Sequence, residues 1–381
     1  MKKIYWRPHR VSRLELAVIA LLALAGVFAV ERFLVREQQP MYKEKLEAAH
    51  LSRNAMAAIK AERARRNLKI DPETDPTESG MVGDLMTPLT TNTGHITAKQ
   101  TSINANFAAV IVDFLRRAGV KEGDTVACGF SGSFPAMNIH TLAAITAMKL
   151  RPVAISSASG SQWGANIPGL LWIDMEKILY DQEIFSFRSV AASRGGVDDR
   201  ALGLSKQGKQ MLDDAIERNG LIAIREASYA ESLERRMQIY EEYAAGAPIK
   251  AYVNVGGGAI SVGTSAGKRM FKPGLNRTAP SGAPLVDSVI GRFALRGVPV
   301  VHLVNIDQIA DRHGLPKQPT TTPAIGEGKI YYKLVYHPWL PWIVLGGILL
   351  AMVGFIRTDW GFRLLRTGGT PKKRQRPEPM I

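Results

Sequence analysis

Three serine- and glycine-rich loops hold the residues of this chain best suited to chemistry. SGSFPAMN (Ser131 to Asn138) follows the apolar run TVACGF, SSASGSQWGAN (Ser156 to Asn166) follows a second run, and NVGGGAISVGTSAG (Asn254 to Gly267) follows a third. Glycine lets a backbone come close to a ligand and aim N–H groups at it. Serine hydroxyls add donors, and a helix that starts directly after such a loop adds the positive end of its dipole. This chemistry suits an anion, either phosphate or carboxylate. The candidate ligand-binding residues are Ser131, Gly132, Ser133, Asn138, Ser159, Gly160, Ser161, Asn166, Gly256, Gly257 and Gly258. Turns between strands and helices use the same residue types, but the serine and glycine density exceeds what turns alone demand.

A catalytic alternative uses the first loop. Gly129-Phe130-Ser131-Gly132-Ser133 approximates the Gly-x-Ser-x-Gly elbow that exposes a nucleophilic serine between a strand and a helix, with Ser133 in place of the last glycine. A triad would also need a base and an acid; His302, on the run VVHLVN, and Asp307 just after it are the best placed. Nucleotide signatures are absent, because no Gly-x-x-x-x-Gly-Lys-Ser/Thr occurs and Gly256-Gly257-Gly258 does not continue as a dinucleotide fingerprint. The seven histidines are scattered without a ligand-spaced pair, so neither a metal nor a cofactor is expected. The single cysteine, Cys128, sits in an apolar run and reads as a buried, inert thiol.

These loops need a scaffold, and the pattern around them supplies one. Short apolar runs at Thr125 to Gly129, Pro152 to Ser156, Phe187 to Ala192, Leu221 to Arg225, Ile249 to Val255 and Val298 to Val304 read as buried strands. Between them lie helical patterns at 138–150, 170–181, 205–219, 229–245 and 285–296, with another ahead of them at Gln100 to Ala118. Alternation of this kind implies an α/β fold, a doubly wound and mostly parallel sheet covered on both faces. All three loops would then lie at carboxyl ends of strands, where open sheets bind ligands. The domain is expected over residues 81–330. A charged helical stretch near 41–68 and the Pro- and acid-rich run DPETDPTESG read as a stalk or packing helix and a linker, residues 36–80.

Two apolar stretches bracket this portion, residues 14–35 and 339–356. Both approach the roughly 20 residues that cross a bilayer, and the second is flanked by Trp339, Trp342, Trp360 and Phe362. No small-x-small cleavage site follows the first, so it is expected to remain as an anchor. The net charge of +15 divides evenly: residues 1–13 and the tail 357–381 carry +5 each. The positive-inside rule then places both tails in the cytoplasm and the middle domain outside it, in a two-pass protein of the cell membrane. The same division removes the case for nucleic acid as a partner, because most of the basic excess is membrane orientation.

The stretch MVGDLMTPLTTNTGHITAKQTS, the loop ACGFSGSFPAMN, the segment SSASGSQWGANIPGLLWIDMEK and the NVGGG turn together resemble the poly-gamma-glutamate system protein family. The similarity runs over most of residues 80–330 and extends to the two-anchor layout. It implies a membrane component associated with poly-γ-glutamate synthesis or export, working beside other membrane subunits of that machinery. It implies no catalytic residues. Poly-γ-glutamate is a chain of free carboxylates, the chemistry that the three loops suit. The expected function is therefore an accessory component binding the polymer or another anionic ligand, the alternative being a serine-type hydrolase or acyl transferase acting through Ser131.

Overall fold

In the computed structural model, residues 13–263 and 265–358 are described. The basic tails beyond them, with Trp360 and Phe362, lie outside the described residues. In chain order the elements begin with α1 (Arg13–Arg32), β1 (Leu34–Gln38), α2 (Tyr42–Arg65), α3 (Ile96–Ser102) and α4 (Phe107–Ala118). Then come β2 (Thr125–Ser131), α5 (Pro135–Ala147), β3 (Arg151–Ser157), β4 (Asn166–Ile167), β5 (Leu170–Leu171), α6 (Trp172–Asp181) and β6 (Ala191–Ser193). They continue with α7 (Lys206–Arg218), β7 (Ile222–Ile224), α8 (Tyr229–Ala244), β8 (Ile249–Val255), α9 (Ala259–Val262), α10 (Ser265–Met270) and β9 (Gly274–Asn276). The last are α11 (Val289–Leu295), β10 (Val300–Leu303), α12 (Ile306–His313), β11 (Tyr332–Tyr336) and α13 (Leu340–Thr358).

The described residues divide into two compact units, 13–37 with 333–358, and 38–332. In the first, α1 and α13 are each long and apolar enough to cross a membrane, by length and composition. They touch closely at Gly26, where a Cβ would lie 2.2 Å from Val344 Cγ1, the small-residue contact that lets helix backbones approach in lipid. Many of their other apolar side chains, among them Leu24, Phe28, Trp342 and Leu350, are exposed. The first helix ends sooner than the expected residue 35, because Leu34 and Val35 enter β1.

The second unit is built on a seven-stranded sheet in the order β7-β6-β3-β2-β8-β10-β9. Every pairing is parallel except β9 on β10. Alternate residues of each strand feed opposite cores. Val126, Cys128 and Phe130 of β2 join one core with α4, α5, α6 and α7, while Ala127 joins another with α8 and α11. The chain starts at β2 in the middle, steps outward through β3 and β6 to β7, then returns to β8 on the other side of β2. β9, a three-residue antiparallel edge, was too short and too polar to be expected from its sequence.

Two expectations need correction. The pattern over 100–118 is two helices, because the Asn104 side chain accepts the Asn106 N–H at 3.0 Å and so competes with the helical ladder. Asn106 in turn accepts from Gly326 N and Tyr331 Oη and donates to Ala324 O, tying residues 324–331 to the start of α4. Of the two readings of the stretch near 41–68, stalk or packing helix, the structure has the packing helix. Its helix, α2, buries Ala48, Ser52, Ala55, Met56 and Ile59 in the core. Ser52 Oγ lies 2.6 Å from His140 Nδ1, and buried Lys45 reaches Asp113 at 3.4 Å and Ile330 O at 3.0 Å. The following run is ordered too: Asp75 accepts from Ser79 and from Gly80 N, and Arg63 donates to Gly80 O and Val82 O. The domain therefore starts near residue 38.

Ile59 separates a core helix from a stalk. Ile59→Ala should lower the unfolding free energy of the full chain by about 2–5 kcal/mol, read by denaturant titration of tryptophan emission in detergent. A change within about 0.5 kcal/mol, as at an exposed position, would restore the stalk.

Candidate functional site

The strand order reverses between the parallel neighbours β2 and β8, and the connections leaving them run to opposite faces of the sheet. Such a reversal opens a crevice at the strand ends. Here it is a cavity of about 530 Å³. Its walls include Ser131, Ser133 and Phe134 after β2, Ser157, Ser159 and Ser161 after β3, Gly196 and Val197 after β6, and Gly257, Gly258 and Ala259 after β8. Thr91 to His95 and Lys99 of α3 complete the wall.

Backbone contacts set the loop positions. Gly132 O accepts Ala165 N at 2.7 Å, and a Cβ on Gly132 would lie 2.6 Å from Ser159 O. Gly160 meets Gly132 from the other side, its Cβ site 3.0 Å from Gly132 O. These two glycines bring the first two loops face to face. Gly256 turns the third loop at φ +85°, with a Cβ site 3.0 Å from Ser131 Cβ, so a side chain there would be both strained and crowded. The loop after β6 is braced from behind by the buried pair Arg236–Asp199 at 2.9 Å, with Ser193 Oγ donating to the same carboxylate at 2.6 Å. Residues 84–94 lie on the second loop through Thr91 N to Gly160 O, Gln162 N to Asn92 O and Gly94 N to Gln162 Oε1, each at 3.0 Å. That strapping carries α3, and with it Lys99, to the cavity.

Lys99 is the residue that sequence reading missed. It is 3 % exposed. Its Nζ donates to Ser133 O and to Ser161 Oγ at 3.0 Å, and sits 3.8 Å from the Phe134 ring centroid. No acidic residue lines the cavity among the described residues, and no carboxylate pairs with this ammonium. Loss of hydration alone pushes its pKa down to about 7, which costs the charged form roughly 5 kcal/mol. A buried cation without an acid is a poor structural choice and a good functional one. One signal was available in the sequence: between Lys69 and Arg116, Lys99 is the only lysine or arginine.

The remaining candidates fall into three groups. Ser131, Ser133, Ser159, Ser161, Gly257 and Gly258 line the cavity. Ser131 Oγ accepts from Ser133 N at 3.2 Å, and Ser133 Oγ accepts from Ser161 N at 3.0 Å; Ser159 Oγ is buried and has no partner among the described residues. Gly132, Gly160 and Gly256 shape the loops. Asn138 and Asn166 are fully buried framework: Asn138 donates to Ser131 O at 2.9 Å, and Asn166 is spent on Asp84 and Thr90.

Ser131, His302 and Asp307 are not brought together as a triad. His302 lies inside the sheet with Nδ1 2.9 Å from Asn254 Nδ2, and burial pushes its pKa down to about 4. Asp307 accepts from Thr101 Oγ1 at 2.6 Å. Neither lines the cavity. The alternation of His302 with valines places it in the core, and proximity in sequence does not turn Asp307 toward it. Cys128 is fully buried, and burial raises its thiol pKa.

Replacing Lys99 should stabilise the fold. Below pH 7 the folded chain holds this lysine protonated at full cost, and between pH 7 and the ordinary lysine value the unfolded chain binds the extra proton, so the cost fades as pH rises. Lys99→Met should therefore raise the melting temperature more at pH 6 than at pH 9 in thermal scans of the full chain; equal or negative shifts would mean that Lys99 holds the fold. No family model, no curated protein and no solved structure matches this chain.

Proposed function

We propose that this protein is a two-pass component of a bacterial cell membrane, with both tails cytoplasmic and the α/β domain outside the cytoplasm. In this reading the domain binds poly-γ-glutamate, or a ligand of the same carboxylate chemistry, as an accessory of the machinery that makes or exports that polymer. One observation carries the reading. The cavity at the reversal of the strand order is lined by a buried lysine, five serine hydroxyls and glycine backbone, with no acid among its described residues. An anion entering it gains hydrogen bonds and relieves an unpaired ammonium. The resemblance to the poly-gamma-glutamate system protein family names the polymer, and the two apolar terminal helices support the anchoring. The partners are then other membrane subunits of the same machinery.

Binding is tested by calorimetry on the full chain in detergent with poly-γ-glutamate as titrant. Lys99→Met should weaken affinity roughly tenfold to hundredfold, the worth of a charge-assisted hydrogen bond. In the unaltered chain affinity should fall as pH rises from 6 to 8, because the ammonium is lost. Affinity indifferent to both would remove the cavity as the binding site. Topology is tested separately. Tags at both termini should resist protease added outside intact cells, while a tag in the exposed turn at Lys121 to Asp124 should be cleaved; the opposite pattern would invert the orientation.

A further inference from the structure

We propose that Ser161 and Lys99 form a nucleophile–base pair, making this cavity an acyl-transfer site in addition to a binding site. Of the five serine hydroxyls in the cavity wall, Ser161 Oγ is the one in contact with an amine, at 3.0 Å from Lys99 Nζ. That separation lies within the range for proton transfer between a nucleophile and its base. Both members are positioned by Ser133: its carbonyl accepts from Lys99 Nζ, and its hydroxyl accepts the Ser161 N–H at 3.0 Å. The Phe134 ring covers the amine on another side, 3.8 Å to the centroid. Ser131 and Ser133 are engaged instead with backbone N–H groups. Ser159 Oγ, buried and without a partner among the described residues, is left as a donor for the acyl oxygen.

Lysine serves as a base only when neutral, and its surroundings favour that form. Its ionisation is governed by desolvation, with no charged neighbour acting on it. The other titratable side chain in the wall, among the described residues, is His95, which is exposed. The step is ordinary acyl transfer. Neutral Lys99 takes the Ser161 Oγ proton as Oγ attacks the carbonyl carbon of an amide or ester. The tetrahedral intermediate collapses, the C–N or C–O bond breaks, and the Lys99 ammonium gives its proton to the leaving amine or alkoxide. Water or an acceptor amine then loses a proton to Lys99, attacks the Ser161 ester, and Oγ leaves with that proton. That the donor is a carboxylate-bearing amide, of the γ-glutamyl class, rests on the binding reading above. The pair itself does not.

The test uses the full chain in detergent with a fluorophosphonate, which phosphonylates activated serines, followed by intact mass and peptide mapping from pH 6 to 9. A single adduct on Ser161 is expected, its rate rising about tenfold between pH 6 and 8 as the amine loses its proton. Lys99→Arg, which keeps the charge and removes the base, should abolish it. The pH profile of the unaltered chain needs no variant to fold. Absence of an adduct at pH 8, a flat profile, or an adduct on Ser131 would overturn the proposal. The two readings also separate by sign, since polymer affinity falls over the pH range in which phosphonylation rises. Loss of either trend sinks its own reading alone.

Discussion

The site depends on two backbones meeting without side chains between them. Gly132 and Gly160 let the loops after β2 and β3 touch face to face, with Gly132 O accepting Ala165 N at 2.7 Å. Any Cβ at Gly132 would collide with a main-chain carbonyl, which cannot swing aside as a flexible side chain can. Because the loops are locked to each other, the strand ends cannot close over the crevice that the sheet reversal opens. The serines are therefore held on the wall of a cavity instead of collapsing into turns. The glycines thus act mainly as spacers for chain packing, and the polar groups turned to the cavity are hydroxyls and Lys99.

Lys99 sets the second constraint. A lysine this deeply buried without a carboxylate opposes folding, and the surrounding fold supplies the compensation. The strapping of residues 84–94 onto the second loop, with the bonds from Gln100 Nε2 to Thr74 O, from Thr101 Oγ1 to Asp307 and between His140 Nε2 and Ser102 O, holds α3 in place. Strained or uncompensated groups persist where surrounding structure over-determines them, and such places concentrate at functional sites. The same cavity also shows how one amine can serve two roles. In the proposed function it holds an anion as ammonium, and in the proposed acyl transfer it activates a hydroxyl as free amine. With a pKa of about 7, neither form is rare near neutral pH.

Much of the scaffold could be read from the chain alone, for a definite reason. Strands buried on both faces must be short apolar runs, and β2, β3, β8 and β10 stand out so between helical patterns, while β6 takes only the end of the expected run 187–192 and the edge strand β7 leaves Ala223 exposed. The loops after three of them then follow by position. The failures have equally definite causes. Helix α2 is charged and carries little amphipathic signal, because its inward face mixes Met56 and Ile59 with small residues, Ala48, Ser52 and Ala55, and with Lys45 and Arg63, whose partners lie outside the helix. The break between α3 and α4 rests on Asn side chains that bond to the backbone, which a helical hydrophobic pattern conceals.

What the sequence determined by itself was the class of the fold, the two apolar terminal helices and the polar loops at the strand ends. These follow from local composition and period. Only tertiary structure decided which loop residues face the cavity. Asn138 and Asn166 have the same polar character as the serines, yet their partners lie inside the domain, while Ser159 and Ser161 are left on the wall. It also decided that Lys99, some thirty residues before the first loop and sixty before Ser161 in the chain, stands 3.0 Å from that hydroxyl. A contact of that kind leaves no periodic trace, because it is made by the path of the backbone and not by the spacing of residues along it.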